Sequence, residues 1–306
     1  MRTVRAAASA AAVAAVLLSL AACGPLGTSA SSGGPTVPPR TPAGAPAANS
    51  TAQAVQALDL VQKQTDHLHS VSAEETLSIG DLISAKARGR LAWGAGGPLG
   101  TLTMTFTGGR QAQVLRSLGI SATMEARYLP DAVYTHLSGA QVGVAGGKHW
   151  AKYTYAEMGT LGGDTADFGK DFFQSNNPVR SVDLLLSAGD LREVGRETVR
   201  GVAATHYSGT LDVAALTSLR APHLSAAQLA AEKRALQAQG VTTETLDLWV
   251  SADHLPVEVH KTEQTNKGLE TGTIFYSAFG VPVHVQAPPA SDTVDVAGLR
   301  QRSTGA

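Results

Sequence analysis

The chain carries 24 basic and 25 acidic side chains over 306 residues, a formal charge of −1, and has no basic run, which excludes the electrostatic footprint of a nucleic-acid binder. Its single cysteine excludes a disulfide framework. Apolar residues make up 43% but aromatic ones only 5%, so alanine and glycine supply much of the bulk.

Arg2 and Arg5 precede an unbroken apolar and small stretch from Ala6 to Leu20, the pattern of an export signal. At about fifteen residues it is shorter than the roughly twenty needed to span a bilayer. It closes on Leu20-Ala21-Ala22-Cys23, which resembles a bacterial lipobox, where the thiol accepts diacylglycerol and the new N-terminus a further acyl chain such as palmitate. Burying acyl chains contributes about 0.8 kcal/mol per CH₂, so two or more of them make a stable anchor. The expectation is a signal peptide over 1–22, lipid on Cys23, and a mature chain on the outer face of the cell membrane. Losing Arg2 and Arg5 leaves 22 bases against 25 acids, a formal charge of −3.

From Gly24 to Asn49 the composition is Gly, Ser, Thr, Pro and Ala with one charge, Arg40. Such a segment cannot bury a core and reads as a disordered tether, 23–49, with an r.m.s. span of roughly 30 Å. Residues 50–306 then form one domain. Ser50 and Gln53 stand at capping-box spacing before Val55, Leu58, Val61, Thr65 and Leu68, which recur at helical intervals.

The period then changes to two. Ile83, Ala85, Ala87, Gly89 and Leu91 alternate with Ser84, Lys86, Arg88 and Arg90, giving a strand with one dry and one wet face. Leu102, Met104 and Phe106 alternate with threonines, and Ile120, Ala122, Met124, Ala126 and Tyr128 with polar residues. Shorter strands are expected over 133–137 and 149–155, joined by Gly-rich turns at 94–100 and 108–109. Asn177 and Pro178 are placed as N-cap and N1 of a helix carrying Val182, Leu185 and Leu186 and ending at Gly189. Ser225 and Gln228 open another helix that Gly240 closes. Strands follow over 199–212, 245–253, 256–262, 272–279 and 283–285. No crossover helices separate the strands, so the fold class is α+β: one large, curved antiparallel sheet of about ten strands with helices over its concave face.

Several segments carry a family likeness. They are Val194-Gly195-Arg196-Glu197 leading to Gly201-Val202, Thr205 to Asp212, Leu248-Trp249-Val250-Ser251-Ala252-Asp253-His254-Leu255-Pro256-Val257, and Tyr276 to Val283 with Ala287-Pro288-Pro289. Over 178–289 the chain resembles the LppX/LprG lipoproteins of actinobacteria and, more distantly, the LolA/LolB carriers; residues 51–177 agree in strand order. The resemblance implies a LolA-like half-barrel whose concave side is plugged by helices, with a hydrophobic cavity between them holding acyl chains. Met104, Phe106, Ile120, Met124 and Tyr128 on the sheet and Leu185 and Leu186 on a helix would face such a ligand. Gly209 is expected at a close backbone approach and Asp253 to Leu255 in a hairpin turn.

The motifs of common enzyme chemistries fail in this sequence, which leaves an envelope hydrolase as the least supported reading. Gly146-Gly147-Lys148 is followed by His149 and preceded by Val142 where a P-loop needs glycine, and no G-x-S-x-G elbow occurs. His67 and His69 lack further ligands for a metal set, and Asp164, Asp167 and Asp171 depart from the calcium-loop order at Ala166, Phe168 and Ser175. His206, His260 and His284 read as wet-face residues, and Tyr128, Tyr134, Trp150, Tyr153 and Tyr155 as core and cavity rim. The expectation is a non-enzymatic carrier or receptor for lipid or another hydrophobic ligand, without cofactor or metal. A module that holds a protein partner on the same fold is the alternative.

Overall fold

The structure, a computed structural model, describes residues 51–93, 97–155, 177–216 and 225–296. Cys23, the tether and the acidic stretch at 164–171 lie outside them. Helix α1 (Thr51–Asp66) leads into β1 (Ser70–Ile79), β2 (Ile83–Ala92) and β3 (Leu99–Gly108). Helix α2 (Gly109–Ser117) follows, then β4 (Thr123–Tyr128), β5 (Ala132–His136), α3 (Ala140–Val144) and β6 (Trp150–Thr154). The later half holds α4 (Pro178–Leu186), β7 (Arg192–Val199), β8 (Val202–Asp212), α5 (Ala226–Ala238), β9 (Thr243–Ser251), β10 (Pro256–Thr265) and β11 (Gly268–Ser277). A short 3-10 turn then enters β12 (Thr293–Asp295).

The twelve strands among the described residues form one open sheet in the order β12-β6-β5-β4-β3-β2-β1-β11-β10-β9-β8-β7. It consists of two antiparallel meanders, β1 to β6 and β7 to β11, joined where β1 pairs with β11. The exception is β12, which lies parallel to β6, so the sheet is mostly rather than wholly antiparallel.

The pattern of two places most strands correctly, and the departures have local causes. Strand β1 escapes a periodicity reading because Glu75 sits on its apolar side between Ala73 and Leu77. The run 199–212 belongs to a hairpin, turning at Arg200 (φ 48°) and Gly201 (φ 87°), whose first strand β7 is charged and lies at a sheet edge, where charge discourages pairing with another chain. Gly108-Gly109 starts helix α2, which buries Ala112 and Leu115, instead of a turn. Ile120 precedes β4 and is not part of a strand. Residues 283–285 lie in an extended strap with no ladder of their own. The strap is held by Ser70 Oγ donating to the Val281 carbonyl at 2.6 Å and Arg127 Nη1 to the Gln286 carbonyl at 3.2 Å.

Helix boundaries follow their caps. Asn177 Oδ1 accepts the Val179 N–H at 3.0 Å with Pro178 at the first turn of α4, and Gly240 in the left-handed region (φ 78°) lies just beyond α5. Ala54, Leu58 and Val61 of α1 and Val182, Leu184 and Leu185 of α4 join one apolar cluster with one face of the sheet. Gly209 is the contact point between these layers. A Cβ there would stand 2.6 Å from Ala188 Cβ and 3.0 Å from Leu185 Cδ1, so only glycine lets β8 lie this close to the end of α4.

Candidate functional site

Strand register fixes which side chains share the helix-covered face. One cross-strand row runs Tyr207, Leu248, Val259, Ile274 and Glu75, continuing to Ala87, Met104 and Met124. The neighbouring row on β1 to β4 is Ala73, Gly89, Leu102 and Ala126, and beyond it lie Val71, Leu91, Gly100 and Tyr128. The middle of this face is lined by small side chains. Gly89 is a point of close backbone approach between β2 and β3, since a Cβ there would sit 2.2 Å from the Thr101 carbonyl oxygen of the adjacent strand.

Under these small residues lies a pocket of about 10 Å³, lined by Ala73, Glu75, Ala87, Leu91 and Leu102 among others. That is room for a single water. Two buried phenols, Tyr128 and Tyr276, have pKa values pushed far up by burial, with the charges of Tyr155 and Glu75 adding to the first and that of Glu75 to the second. Towards the β1–β2 turn the apolar rows continue through Leu77, Ile79, Phe106 and Met124, all half-buried.

The same face becomes charged over β9 to β11. Glu244, Glu263 and Glu270 form a single cross-strand row, Glu244 opposite Glu263 and Glu263 opposite Glu270. Burial raises the pKa of each; for Glu263, burial together with Glu244 and Glu270 lifts it to about 8. Lys261 Nζ stands 4.0 Å from Glu244 and partly offsets the row. Above it, Arg180 of α4 pairs with Glu232 of α5, and Gln62 of α1 donates to the fully buried Asp183 of α4 at 2.5 Å. Polar contacts therefore tie the three covering helices to one another.

The opposite face holds a second polar cluster. His206 Nδ1 lies 3.0 Å from Glu197 and its Nε2 2.9 Å from Asp247, while its ring stacks on Trp249 at 4.1 Å. Trp249 Nε1 donates to Glu197 at 3.1 Å. Burial would raise the Asp247 pKa, but hydrogen bonds with His206 and Ser208 outweigh it and hold the carboxyl below its usual range. This cluster pins the edge strand β7 to β8 and β9. Only 12% of the His206 side chain is exposed, so it is less wet than its alternation suggests.

Of the residues expected to face a ligand, Met104, Tyr128 and Leu185 are buried in the main cluster and Phe106 and Leu186 pack against it half-buried. Met124 lies opposite Met104. Ile120 is buried beside the turn after α2 rather than on the sheet, and the main cluster does not include it. The aromatic group divides: Tyr128, Tyr153 and Tyr155 belong to the main cluster or its edge, whereas Tyr134 and Trp150 pack with Ala132 in a separate cluster. Burial, with Asp131 nearby, pushes the Tyr155 hydroxyl up to about 12. The carboxylate row was missed by sequence reasoning, because Glu244, Glu263 and Glu270 are far apart in the chain and no periodicity joins them. His67 and His69 are exposed, as expected.

No protein-family model matches the chain. It is 43% identical over 246 residues to a Streptomyces griseus protein described as an uncharacterized 31.2 kDa protein in the rplA-rplJ intergenic region, covering 80% of each chain. It is 37% identical over 266 residues to "Putative lipoprotein SCO4650" of Streptomyces coelicolor, covering 86% of this chain and 83% of that one. Among solved structures it is similar to LprF from Mycobacterium bovis, at 17% identity with a TM-score of 0.47, over 79% of this chain and 99% of that one. It is also similar to lipoprotein LppX from Mycobacterium tuberculosis, at 14% identity with a TM-score of 0.46, over 78% of this chain and all of that one. At 43% and 37% identity over at least four-fifths of its length, the chain belongs to the family of these two Streptomyces proteins.

Proposed function

We propose that the protein is a lipoprotein of the outer face of the cell membrane, lipidated at Cys23, that binds a lipid or another apolar molecule between its sheet and covering helices without catalysing a reaction. The observation that carries this reading is the continuity of one largely apolar face: Ala85, Ala87, Leu102 and Met104 under the layers run into the half-buried Leu77, Ile79 and Phe106, with Glu75 the charged side chain beside them. A buried apolar surface that emerges half-exposed at its end is a route by which an acyl chain can enter without crossing water. The export signal, the lipobox-like Leu20 to Cys23 and the name of the Streptomyces coelicolor relative support the membrane address.

The pocket of about 10 Å³ is far below the several hundred Å³, on the order of 300 Å³ or more, that a ligand cavity needs. Binding therefore requires the layers to part. The ties Gln62 to Asp183 and Arg180 to Glu232 are polar contacts between helices, which can be exchanged for water at small net cost, while the strand ladder beneath stays intact.

The test is native mass spectrometry of lipidated protein released from the producing membrane in mild detergent, paired with uptake of a fluorescent fatty-acyl probe. The expected result is co-release of an acyl-bearing molecule and probe uptake that Ala87→Leu, which fills the pocket, reduces. Absence of both bound lipid and uptake would overturn the reading. A single stoichiometric protein crosslinked in cells and unaffected by Ala87→Leu would support the protein-partner alternative.

A further inference from the structure

The face of the sheet turned away from the helices is polarised in charge. On β2 the outward residues Lys86, Arg88 and Arg90 are exposed and make no ion pair among the described residues. Each is flanked across the ladder by hydroxyl-bearing or acidic side chains: Lys86 by Thr76 and Thr105, Arg88 by Glu74 and Thr103, Arg90 by Ser72 and Thr101. The carboxylates nearest to them are already engaged, Glu74 with Arg200 at 2.7 Å and Glu125 with Arg127 at 3.3 Å. The row of Arg90 and Thr101 continues through Arg127 and Tyr134 to Lys152. Towards β7 to β10 the same face carries Glu197, Asp247 and Glu258 instead. A chain whose mature form has a formal charge of −3 thus concentrates unpaired cations on one strip.

We propose that this strip docks the domain against the anionic lipid headgroups of the membrane that holds its own anchor. Alternate residues on a strand lie about 7 Å apart, so the three β2 cations form a straight array at roughly the lateral spacing of phospholipid headgroups. Guanidinium and ammonium groups set among hydroxyls are the donors that phosphate oxygens take. The occupant follows from the length of chain before the domain. A flexible chain with the length and composition of residues 23–49 would span roughly 30 Å r.m.s., enough to let the domain turn back onto the bilayer but too short to take it far away, so the lipid surface is the polyanion at the highest local concentration. Docking by this face leaves the covering helices and the half-buried Leu77, Ile79 and Phe106 on the other side of the sheet.

The inference rests on the anchoring part of the proposed function and is independent of ligand binding. The experiment uses full-length lipidated protein in phosphatidylcholine vesicles with or without phosphatidylglycerol, with a fluorophore attached through Thr107→Cys and an acceptor dye on the lipid. Co-flotation with neutral vesicles reports the anchor; energy transfer reports docking. Transfer is expected to rise on anionic vesicles and to fall back to the neutral level at high salt, where screening removes it. Neutralising Lys86, Arg88 and Arg90 to Gln together should lower the docking equilibrium on the order of a hundred-fold, at about 1 kcal/mol per cation near an anionic surface. The lipid and salt dependence of the unsubstituted strip needs no variant to fold. Equal transfer on neutral and anionic vesicles, with co-flotation intact, would overturn the proposal. So would energy transfer indifferent to vesicle charge but altered by soluble polyglycerol phosphate, which would assign the strip to a wall polymer.

Discussion

Replacing Glu263 by glutamine is expected to stabilise the protein at neutral and mildly alkaline pH and to do so by much less near pH 5. The three glutamates at 244, 263 and 270 face one another across adjacent strands beneath α4 and α5, an arrangement in which like charges repel directly. Burial, joined by Glu244 and Glu270, raises the Glu263 pKa from 4.5 to about 8, while Lys261 opposes the shift. Because the folded value lies above the unfolded one, folding takes up a proton, and stability is lost as pH rises from the unfolded value through the folded one. For a single carboxyl moving between those two values the loss is about 1 kcal/mol near pH 5 and about 3 kcal/mol at pH 7. Glutamine keeps the shape and removes the charge, so the variant should escape most of that loss. Urea denaturation of both proteins near pH 5 and pH 8 measures the difference directly. Equal stability differences at the two pH values, or a variant weaker than the parent at pH 8, would refute the reasoning.

Gly209→Ala is expected to cost about 1–3 kcal/mol, because its new methyl would meet Ala188 Cβ at 2.6 Å and push α4 off the sheet; thermal denaturation reads this. His206→Ala removes one partner each from Glu197 and Asp247 and should cost about 2–4 kcal/mol, with a change in Trp249 fluorescence on loss of the stacked ring. Cys23→Ser should move the protein from the membrane fraction to the medium with its denaturation midpoint unaltered, since the position is 28 residues before Thr51, where the described domain begins; membrane retention of the variant would contradict the lipid anchor.

Strands with one strict alternation were legible from residues alone, as in β2, where every inward position from Ile83 to Leu91 is apolar or glycine. The caps Asn177 and Gly240 and the close approach at Gly209 could also be read, because each depends on a local property: a side-chain acceptor, a positive φ or a missing Cβ. Strand β1 and the hairpin at 192–212 were harder. In them Glu75 and the charges of β7 break the pattern for reasons that lie in neighbouring chain segments.

The sequence by itself determined a β-rich domain with helices over one face, and it carries the charge and apolar pattern on which the proposed export signal, anchoring cysteine and tether rest, since charge, apolar length, turn residues and periodicity are all local. The joining of β1 to β11, the parallel β12, the row of three glutamates and the strip of unpaired cations were decided only by the tertiary structure. Register brings together residues tens of positions apart, and their repulsion or attraction exists only once the strands are side by side.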